Sequence, residues 1–518
     1  MRVSRFRLVL VVGFVVVAAG TVATADLVGD GTDVSSSDRA TGSEDGPTDQ
    51  SSDVLSDPPD DRLGWEGGYW YNESIDVDQS DGLSDAELQR YKYRTMARLE
   101  KIRGQEFTED VEIEFIGPDE VADRIDGNVT QFRGTSQQWE ALFVVGEDRD
   151  AERVVFETLV GRVAGWAAEE GSETVVLITD DPDAPTAPPA LMAHELAHVL
   201  QHQQFDLEAD RYQRETLDGE HAKDALVEGE ASYLDSVYSQ HCINGSWDCL
   251  NGGSFVTARS PVERDLLPYL TDPYTLGSEY VEQLIDQGGF DAVDAVHQDP
   301  PAYSISALYD EQSDAARQSE IAPTSPLTVP DRSTEDWTRR DGPDRIGAMG
   351  LATMLDDTAL AWRNGALYPY TNGSADGYVW ETRWSNESTA AVFADTYRDR
   401  IRSAGGTQLT NEVWEIPDGP FADAFAINRT ENAVRIVNAP SVEALSTVHD
   451  GAGPDTPGEE PPTSAESTTE HEPIATPGAS TTRAADQTTA DGAGPGFGGG
   501  VALIALLAVA LASRKSAQ

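Results

Sequence analysis

The fold is decided by ten residues, Leu191-Met192-Ala193-His194-Glu195-Leu196-Ala197-His198-Val199-Leu200. In a helix, His194 and His198 lie on one face within reach of one metal ion, because four residues make about one turn. Glu195 stands beside the first histidine, where a carboxylate can polarise a water bound to such an ion. The leucines and valine of the stretch point away and can bury the helix. The alternative is an amphipathic helix whose polar face happens to hold two histidines.

Two later segments combine polar residues with the apolar pattern of a helix. They read Ala225-Leu226-Val227-Glu228-Gly229-Glu230-Ala231-Ser232-Tyr233 and Asp272-Pro273-Tyr274-Thr275-Leu276-Gly277-Ser278-Glu279-Tyr280-Val281. A catalytic zinc needs a third protein ligand and one open position. Glu230 lies about 200° round the helix from Glu228, so it cannot replace Glu228 without a different geometry. The alternative is that both acids belong to the acidic surface of the protein.

Over about residues 190–300 these segments resemble the gluzincin metallopeptidases. The resemblance implies that one Zn²⁺ per chain is held by His194, His198 and Glu228. It also implies that Glu195 is the general base and that Tyr274 donates a hydrogen bond to the oxyanion of the tetrahedral intermediate; the alternative for Tyr274 is a buried structural tyrosine. The implied fold is α+β and zincin-like, a mixed sheet part followed by a helical part.

The implied activity is hydrolysis of peptide bonds in a peptide or protein substrate by a metal-activated water. The chain has no G-x-M-E-N-like segment of the kind with which gluzincin aminopeptidases hold a substrate amino group, so an endopeptidase is the expectation. The alternative is a catalytically silent surface protein with a binding or structural role in the cell envelope. A serine hydrolase is disfavoured because no G-x-S-x-G elbow is present.

Composition excludes a nucleic-acid partner. The 518 residues include 92 acidic and 36 basic ones, a formal net charge of −56 that repels phosphate groups. Only four of the basic residues are lysines (Lys92, Lys101, Lys223 and Lys515). A large acidic excess with few lysines resembles proteins of haloarchaea, where molar salt shortens the Debye length to about 3 Å. The alternative is an acidic secreted protein of a mesophile.

Both ends of the chain have the features of export and anchoring segments. Residues 1–25 combine a basic start, an apolar run and Ala23-Thr24-Ala25, a pattern typical of a secretory signal peptide. Gly494-Pro495-Gly496-Phe497, an apolar run and a basic stop resemble the Pro-Gly-Phe sorting signal that an archaeosortase exchanges for lipid. The alternative is a plain C-terminal membrane anchor in 495–518. Both predict a secreted protein held at the outer cell surface.

Between these ends we predict a disordered acidic leader at 26–62 and a Thr/Pro-rich stalk at 450–494. The metallopeptidase-like domain is predicted at 63–340 and a small α/β region at 341–449. Helices are expected from a capping box at Ser84 and over 154–163, 190–300, 346–355 and 390–401. Strands are expected at 111–116, at 378–384, within 411–438, and as a hairpin of 163–168 with 174–178.

The two cysteines, Cys242 and Cys249, predict a local disulfide on an exported chain. Six N-x-S/T sequons are candidate glycosylation sites, at Asn72, Asn128, Asn244, Asn372, Asn386 and Asn428. Three further histidines are not expected to be ligands: His202 is assigned to the ligands' surroundings or the surface, and His221 and His241 to exposed or loosely local positions. Asp206 and Asp224 are both candidates for a carboxylate that orients a ligand imidazole, and the sequence does not choose between them.

Overall fold

The computed structural model describes residues 62–125, 136–167, 173–308, 323, 326–334, 336–340 and 342–453. The following predictions lie outside the described residues: the signal peptide 1–25, the leader 26–62 except its last residue, Asn128, the stalk 450–494 beyond residue 453, and the tail 495–518. None of the described helices combines the length and the apolar composition needed to cross a lipid bilayer.

The described residues form helices and strands that we number in chain order. The helices are α1 (Asp85–Arg103), α2 (Val121–Ile125), α3 (Ser136–Ala141), α4 (Ala151–Val160), α5 (Pro189–Phe205), α6 (Leu217–Ile243), α7 (Leu267–Gly288), α8 (Phe290–Gln298), α9 (Ile305–Leu308), α10 (Gly347–Leu355), α11 (Glu387–Ser403) and α12 (Val442–Val448). The strands are β1 (Trp65–Glu66), β2 (Tyr69–Trp70), β3 (Glu112–Ile116), β4 (Gly165–Ala167), β5 (Thr174–Ile178), β6 (Thr338–Arg339), β7 (Trp362–Thr371), β8 (Asp376–Trp384), β9 (Thr407–Gln408), β10 (Val413–Glu415), β11 (Ala424–Thr430) and β12 (Ala433–Ala439). The architecture is therefore a mixed α+β one.

A small mixed sheet precedes the helical region. Its strand order is β3-β5-β4, with β3 parallel and β4 antiparallel to β5. Helix α1 begins at the predicted capping box, in which Ser84 and Glu87 exchange hydrogen bonds. The apolar side of α5 shares one buried cluster with α1 and this sheet, in which Leu196 and Val199 are at most 1% exposed. Burying each such side chain contributes about 1.5–3 kcal/mol, which fixes α5 against the sheet.

The helical region follows, with α6 packed between α5 and α7. Helix α6 begins at Thr216, whose side chain accepts the backbone N–H of Gly219. Helix α7 continues through Pro273, which stands in its first two turns. The predicted helical character of 190–300 is confirmed, with breaks between α5 and α6 and between α6 and α7.

A seven-stranded antiparallel sheet occupies the C-terminal part, in the order β6-β7-β8-β12-β11-β10-β9. Neighbouring residues of β8 point to opposite faces. Trp380 contacts Phe393 and Tyr397 of α11, whereas Val379 belongs to the cluster of Leu445 on α12. The predicted helices and strands of this region are present. The sheet is, however, wholly antiparallel and larger than the small α/β region that we expected, because pairing order depends on contacts distant in sequence.

The first turn of α6 is bound to the segment that leads into α10. Asp218 is wholly buried, and its carboxylate accepts hydrogen bonds from Ser304 N (2.9 Å), Ser304 Oγ (2.6 Å) and Arg345 Nε (2.8 Å). Gly347 has φ +74°, and a Cβ there would lie 2.5 Å from Asp218 Cβ, so only glycine fits. All described residues belong to one compact unit. The boundary at residue 340 stays a prediction.

Candidate metal centre

Helix α5 presents two imidazoles to one point. His194 and His198 are one turn apart and wholly buried, and their Nε2 atoms are 3.2 Å from each other. Pro188 and Pro189 start the helix, where a missing N–H costs no helical hydrogen bond. The four-residue spacing therefore places the two imidazole nitrogens close together on one face of the helix.

Helix α6 supplies the third group. Oε2 of Glu228 lies 3.6 Å from His194 Nε2 and 3.2 Å from His198 Nε2, and Glu228 is 4% exposed. Two imidazoles and one carboxylate are the protein ligand set of many catalytic zinc sites. His194, His198 and Glu228 thus form a group that could hold a metal ion.

The outer nitrogen of each imidazole fixes its tautomer. Nδ1 of His194 donates to Oδ2 of Asp235 at 2.9 Å, so its Nε2 lone pair faces the triad. Nδ1 of His198 lies 2.9 Å from Oε1 of Gln201. The Gln201 amide nitrogen donates to Val227 O and to Glu230, so its oxygen must accept from His198. Both Nε2 lone pairs therefore point at the same place, which suits a cation.

The electrostatics of the triad also favour a positive charge. Burial lowers the pKa of His194, but its hydrogen bond to Asp235 and the nearby carboxylate of Glu228 outweigh this effect and raise the pKa to about 10. Burial raises the pKa of Glu228, yet the charges of His198 and His194 lower it to about 2. A site that holds a proton this strongly can exchange that proton for a metal cation.

Glu195 differs from the other buried acids near the site. It is wholly buried, and neither of its carboxylate oxygens has a hydrogen-bond partner among the described residues. Burial first, and then the negative charges of Glu228 and Asp235, raise its pKa to about 8. The edge strand β4 runs alongside, since a Cβ on Gly165 would lie 3.1 Å from Glu195 Oε1. No structural hydrogen bond among the described residues accounts for this carboxylate.

Tyr274 reaches the same centre from α7. It is 4% exposed, and its ring stacks at 6.1 Å from the His194 ring. Burial first, and then the negative charge of Glu228, hold the pKa of Tyr274 well above the usual value. The tyrosine is therefore a neutral hydrogen-bond donor at the triad.

Two glycines let α6 and α7 approach closely enough for this arrangement. A Cβ on Gly229 would lie 2.7 Å from Gly277 Cα, and a Cβ on Gly277 would lie 2.8 Å from Ala225 Cα. Gly229 follows Glu228 directly, and Gly277 stands one turn after Tyr274. The close crossing thus sets the distance between the third ligand and the tyrosine.

The structure brings together His194, Glu195, His198, Glu228 and Tyr274. Asp235 and Gln201 orient the two imidazoles, and the sequence analysis did not identify either residue. Asp235 lies seven residues after Glu228 and Gln201 three residues after His198, and each spacing returns to the same helix face.

Neither carboxylate that was left open in the sequence contacts a ligand imidazole. Asp206 is the C-cap of α5, and Asp224 pairs with Lys223. Glu230 points away from the triad, to Arg103, Gln201 and His297.

The other histidines are not ligands of the triad. The expectation that His221 is exposed is wrong: it is 2% exposed, and its Nε2 lies 2.9 Å from Tyr269 O, because its position on α6 faces α7. His241 is partly buried and stacks on Trp247 at 4.2 Å. His202 is also partly buried, and its Nε2 has no hydrogen-bond partner among the described residues.

The predicted disulfide between Cys242 and Cys249 is present, with Cα atoms 5.5 Å apart. It closes a loop that contains the sequon at Asn244. Asn244 is exposed, as are Asn72, Asn372 and Asn386, whereas Asn428 is half-buried on β11. Glycosylation at these positions stays a prediction.

Comparison with known proteins bears on the C-terminal sheet. Residues 335–449 match a family described as a domain of unknown function, DUF8575. The match overlaps the predicted region 341–449 and includes none of the metal-centre residues. The chain matched no curated protein and no solved structure.

Proposed function

We propose that this chain is a zinc-dependent metallopeptidase of the gluzincin type that hydrolyses peptide bonds within protein substrates. One observation carries the proposal. The His194, His198 and Glu228 ligand atoms converge beside Glu195, a buried carboxylate with no hydrogen-bond partner among the described residues. A purely structural metal site needs three or four ligands but has no use for such a carboxylate.

The donor set fits zinc, because imidazole and carboxylate groups are its usual ligands after thiolates. A zinc ion at this place supplies Lewis acidity, which acidifies water and polarises a carbonyl oxygen. Asp235 and Gln201 keep the two imidazoles in the tautomer that leaves Nε2 free for the ion.

Glu195 takes up the proton that water releases as its oxygen attacks the peptide carbonyl. The same carboxylic acid then returns that proton to the amine as the C–N bond breaks. Tyr274 donates its hydroxyl hydrogen to the carbonyl oxygen as that oxygen becomes negative, a contribution of about 10²–10³ in rate for one such donor. Water and one peptide bond give one carboxyl and one amino group.

The architecture supports the zincin-like part of the proposal. A mixed sheet precedes a helical region, and the antiparallel edge strand β4 runs beside the helix that carries both histidines. An edge strand offers unpaired backbone groups to an extended peptide. Because the chain lacks a G-x-M-E-N-like segment, we place the cleavage within chains rather than at their amino ends.

The location that we propose is the outer cell surface of a halophilic archaeon. The signal-like residues 1–25 and the Pro-Gly-Phe segment before the apolar run at 501–512 support export followed by lipid or membrane anchoring. The disulfide Cys242–Cys249 and the exposed sequons suit an extracellular protein.

A second function is favoured by the burial of the triad. The two histidines are wholly buried and Glu228 is 4% exposed, as in a site that holds an ion without admitting a substrate. In that case the chain is a catalytically silent envelope protein that keeps the metal for binding or structure.

The experiment compares the full chain with two variants, all made in a halophilic host and purified in molar KCl. Glu195→Gln removes the general base, and Glu112→Gln is the matched control on the exposed side of β3. Zinc content and casein hydrolysis are measured on all three.

We expect about one zinc per chain in all three proteins, with cleavage by the wild type and the control but not by Glu195→Gln. If all three hold zinc and none cleaves any peptide tried, the silent envelope protein is the better description. Absence of zinc from the wild type would overturn the metal centre itself.

A further inference from the structure

Helix α6 carries a second buried carboxylate two residues after the third ligand of the triad. Glu230 is wholly buried, and its Oε2 accepts a hydrogen bond from Gln201 Nε2 at 2.8 Å. His297 Nε2 lies 2.8 Å from the same oxygen, and Arg103 Nε donates to Oε1. Arg103 ends α1, Gln201 is on α5 and His297 is on α8. Four helices thus meet at one charged group outside the triad.

The partners of Glu230 leave it only one role in its hydrogen bonds. A guanidinium group and an amide nitrogen offer donors and no acceptor, so both oxygens of Glu230 must accept. Arg103 is 3% exposed, and it also pairs with Asp294 on α8. The carboxylate is therefore a fixed acceptor in the core, held from several sides.

Gln201 connects this acceptor to a metal ligand. Its Nε2 donates to Glu230 and, at 2.9 Å, to Val227 O, while its Oε1 lies 2.9 Å from His198 Nδ1. An amide keeps nearly the same shape when its oxygen and nitrogen are exchanged, so packing alone does not decide which end faces His198. The two acceptors decide it, and a hydrogen bond to a charged group is roughly twice as strong as a neutral one.

The orientation of this amide determines what His198 can bind. An oxygen that faces Nδ1 requires the ring hydrogen there, and a neutral imidazole then has its lone pair on Nε2, which faces the triad. A reversed amide would turn an N–H group toward Nδ1 and move the ring hydrogen to Nε2. His198 would then have no free nitrogen for a metal ion.

We infer that Glu230 is a positioning residue that acts through the Gln201 amide to hold His198 in the tautomer whose Nε2 can bind the metal ion. The inference rests on the metal centre of the proposed function and does not depend on peptide hydrolysis. One short stretch of α6 then controls both nitrogens of His198. Glu228 lies 3.2 Å from Nε2, and Glu230 acts on Nδ1 through Gln201. The alternative is that Glu230 only neutralises Arg103.

The test uses the full chain in molar KCl. Glu230→Gln and Gln201→Met change the chemistry at nearly constant shape, and both are made singly and together. Tyr212→Phe is the matched control, because the Tyr212 hydroxyl lies 2.8 Å from His297 Nδ1, at the far side of the same network. Zinc affinity is measured by chelator competition. The ring-nitrogen chemical shifts of ¹⁵N-labelled His198, assigned with His198→Gln, are measured on the zinc-free chains.

We expect the wild type and Tyr212→Phe to carry the ring hydrogen of His198 on Nδ1. Glu230→Gln and Gln201→Met should lose this signature and bind zinc about 10–100-fold more weakly. The double variant should bind zinc as weakly as Gln201→Met alone, because the effect of Glu230 passes through Gln201. Two results would overturn the inference: an unchanged Nδ1 signature in Glu230→Gln, or losses of affinity that add in the double variant.

A further variant keeps the test decisive if Glu230→Gln does not fold. Gln201→Glu combined with Glu230→Gln moves the carboxylate to position 201, so an oxygen faces His198 Nδ1 whichever way the side chain turns. It should show the hydrogen on Nδ1 and bind zinc within about tenfold of the wild type, and loss of either would count against the inference.

The outcomes also separate this inference from the proposed function. If the variants behave as expected while the wild type cleaves no peptide, the peptidase proposal fails and the role of Glu230 stands. If the wild type cleaves and Glu230→Gln keeps both its affinity for zinc and its Nδ1 signature, the role of Glu230 fails alone. Absence of zinc from the wild type would overturn both.

Discussion

Replacing Gly277 by alanine tests whether the close crossing of α6 and α7 builds the metal centre. The added Cβ would lie 2.8 Å from Ala225 Cα, whereas ordinary contacts of a Cβ begin near 3.4 Å. The obstacle is helix backbone, which cannot turn aside as a side chain can. The two helices must therefore separate by about 0.6 Å or more at this point.

The expected change in the free energy of unfolding is the sum of two opposing effects. Overpacking of this kind costs about 1–3 kcal/mol, and alanine in a helix interior returns up to about 1 kcal/mol relative to glycine. Gly288→Ala in the same helix is the matched control, because its Cβ meets only Ala292 Cβ, at 3.1 Å. Gly288 is the last residue of α7, so its alanine variant gains at most part of that helix propensity, and it meets no helix backbone. We therefore expect Gly277→Ala to be about 1–2 kcal/mol less stable than Gly288→Ala.

The assay is urea unfolding of the zinc-loaded chains in molar KCl, together with casein hydrolysis. Because Tyr274 stands one turn before Gly277, separation of the helices also displaces the tyrosine, and a 1 Å displacement can reduce turnover about 10²-fold. Equal stability and equal turnover in the two alanine variants would refute the idea that this crossing positions the site.

Three further predictions concern single side chains. Tyr274→Phe should keep zinc and lower kcat about 10²–10³-fold with little change in KM, measured by steady-state peptide hydrolysis. Asp235→Asn should weaken zinc binding about 10–100-fold in a chelator competition, because the His194 tautomer loses its carboxylate partner. His221→Gln should make the free energy of unfolding less sensitive to acid pH. Burial lowers the pKa of His221 to about 4, so the wild type loses about 3 kcal/mol as pH falls from 6.5 to 4, where only the unfolded chain takes up the proton. Urea titrations at pH 7 and pH 4 measure this difference.

The local parts of the site could be predicted from the sequence because a helix fixes them. The four-residue spacing of His194 and His198 is sufficient to place both imidazoles on one face of α5. Glu228 could be predicted as the third ligand only from the family resemblance, because no periodic sequence pattern shows that α6 packs on α5. Asp235 lies seven residues, or about two helical turns, after Glu228, but many other acids in so acidic a chain stand at similar spacings. Burial, which distinguishes it, is a tertiary property.

The same division holds for the fold. The capping box at Ser84 and the alternating strand at 111–116 depend on neighbours in the sequence and are present as predicted. In the C-terminal sheet, β7 and β8 pair as neighbours in the sequence, but β8 also pairs with β12, whose residues are about 50–60 positions away. The contacts of Glu230 with Arg103 and His297 span 127 and 67 positions, and no local pattern indicates them.

The anchoring of α6 by Asp218 has a consequence for the order of events during synthesis. Arg345 and Gly347, which fix the first turn of this helix, leave the ribosome more than a hundred residues after Glu228. A chain still in transit holds every residue of the triad before it holds the contacts that lock the glutamate helix in place. Under the proposed peptidase function, hydrolytic competence therefore comes late, once residues 345–347 have joined the first turn of α6.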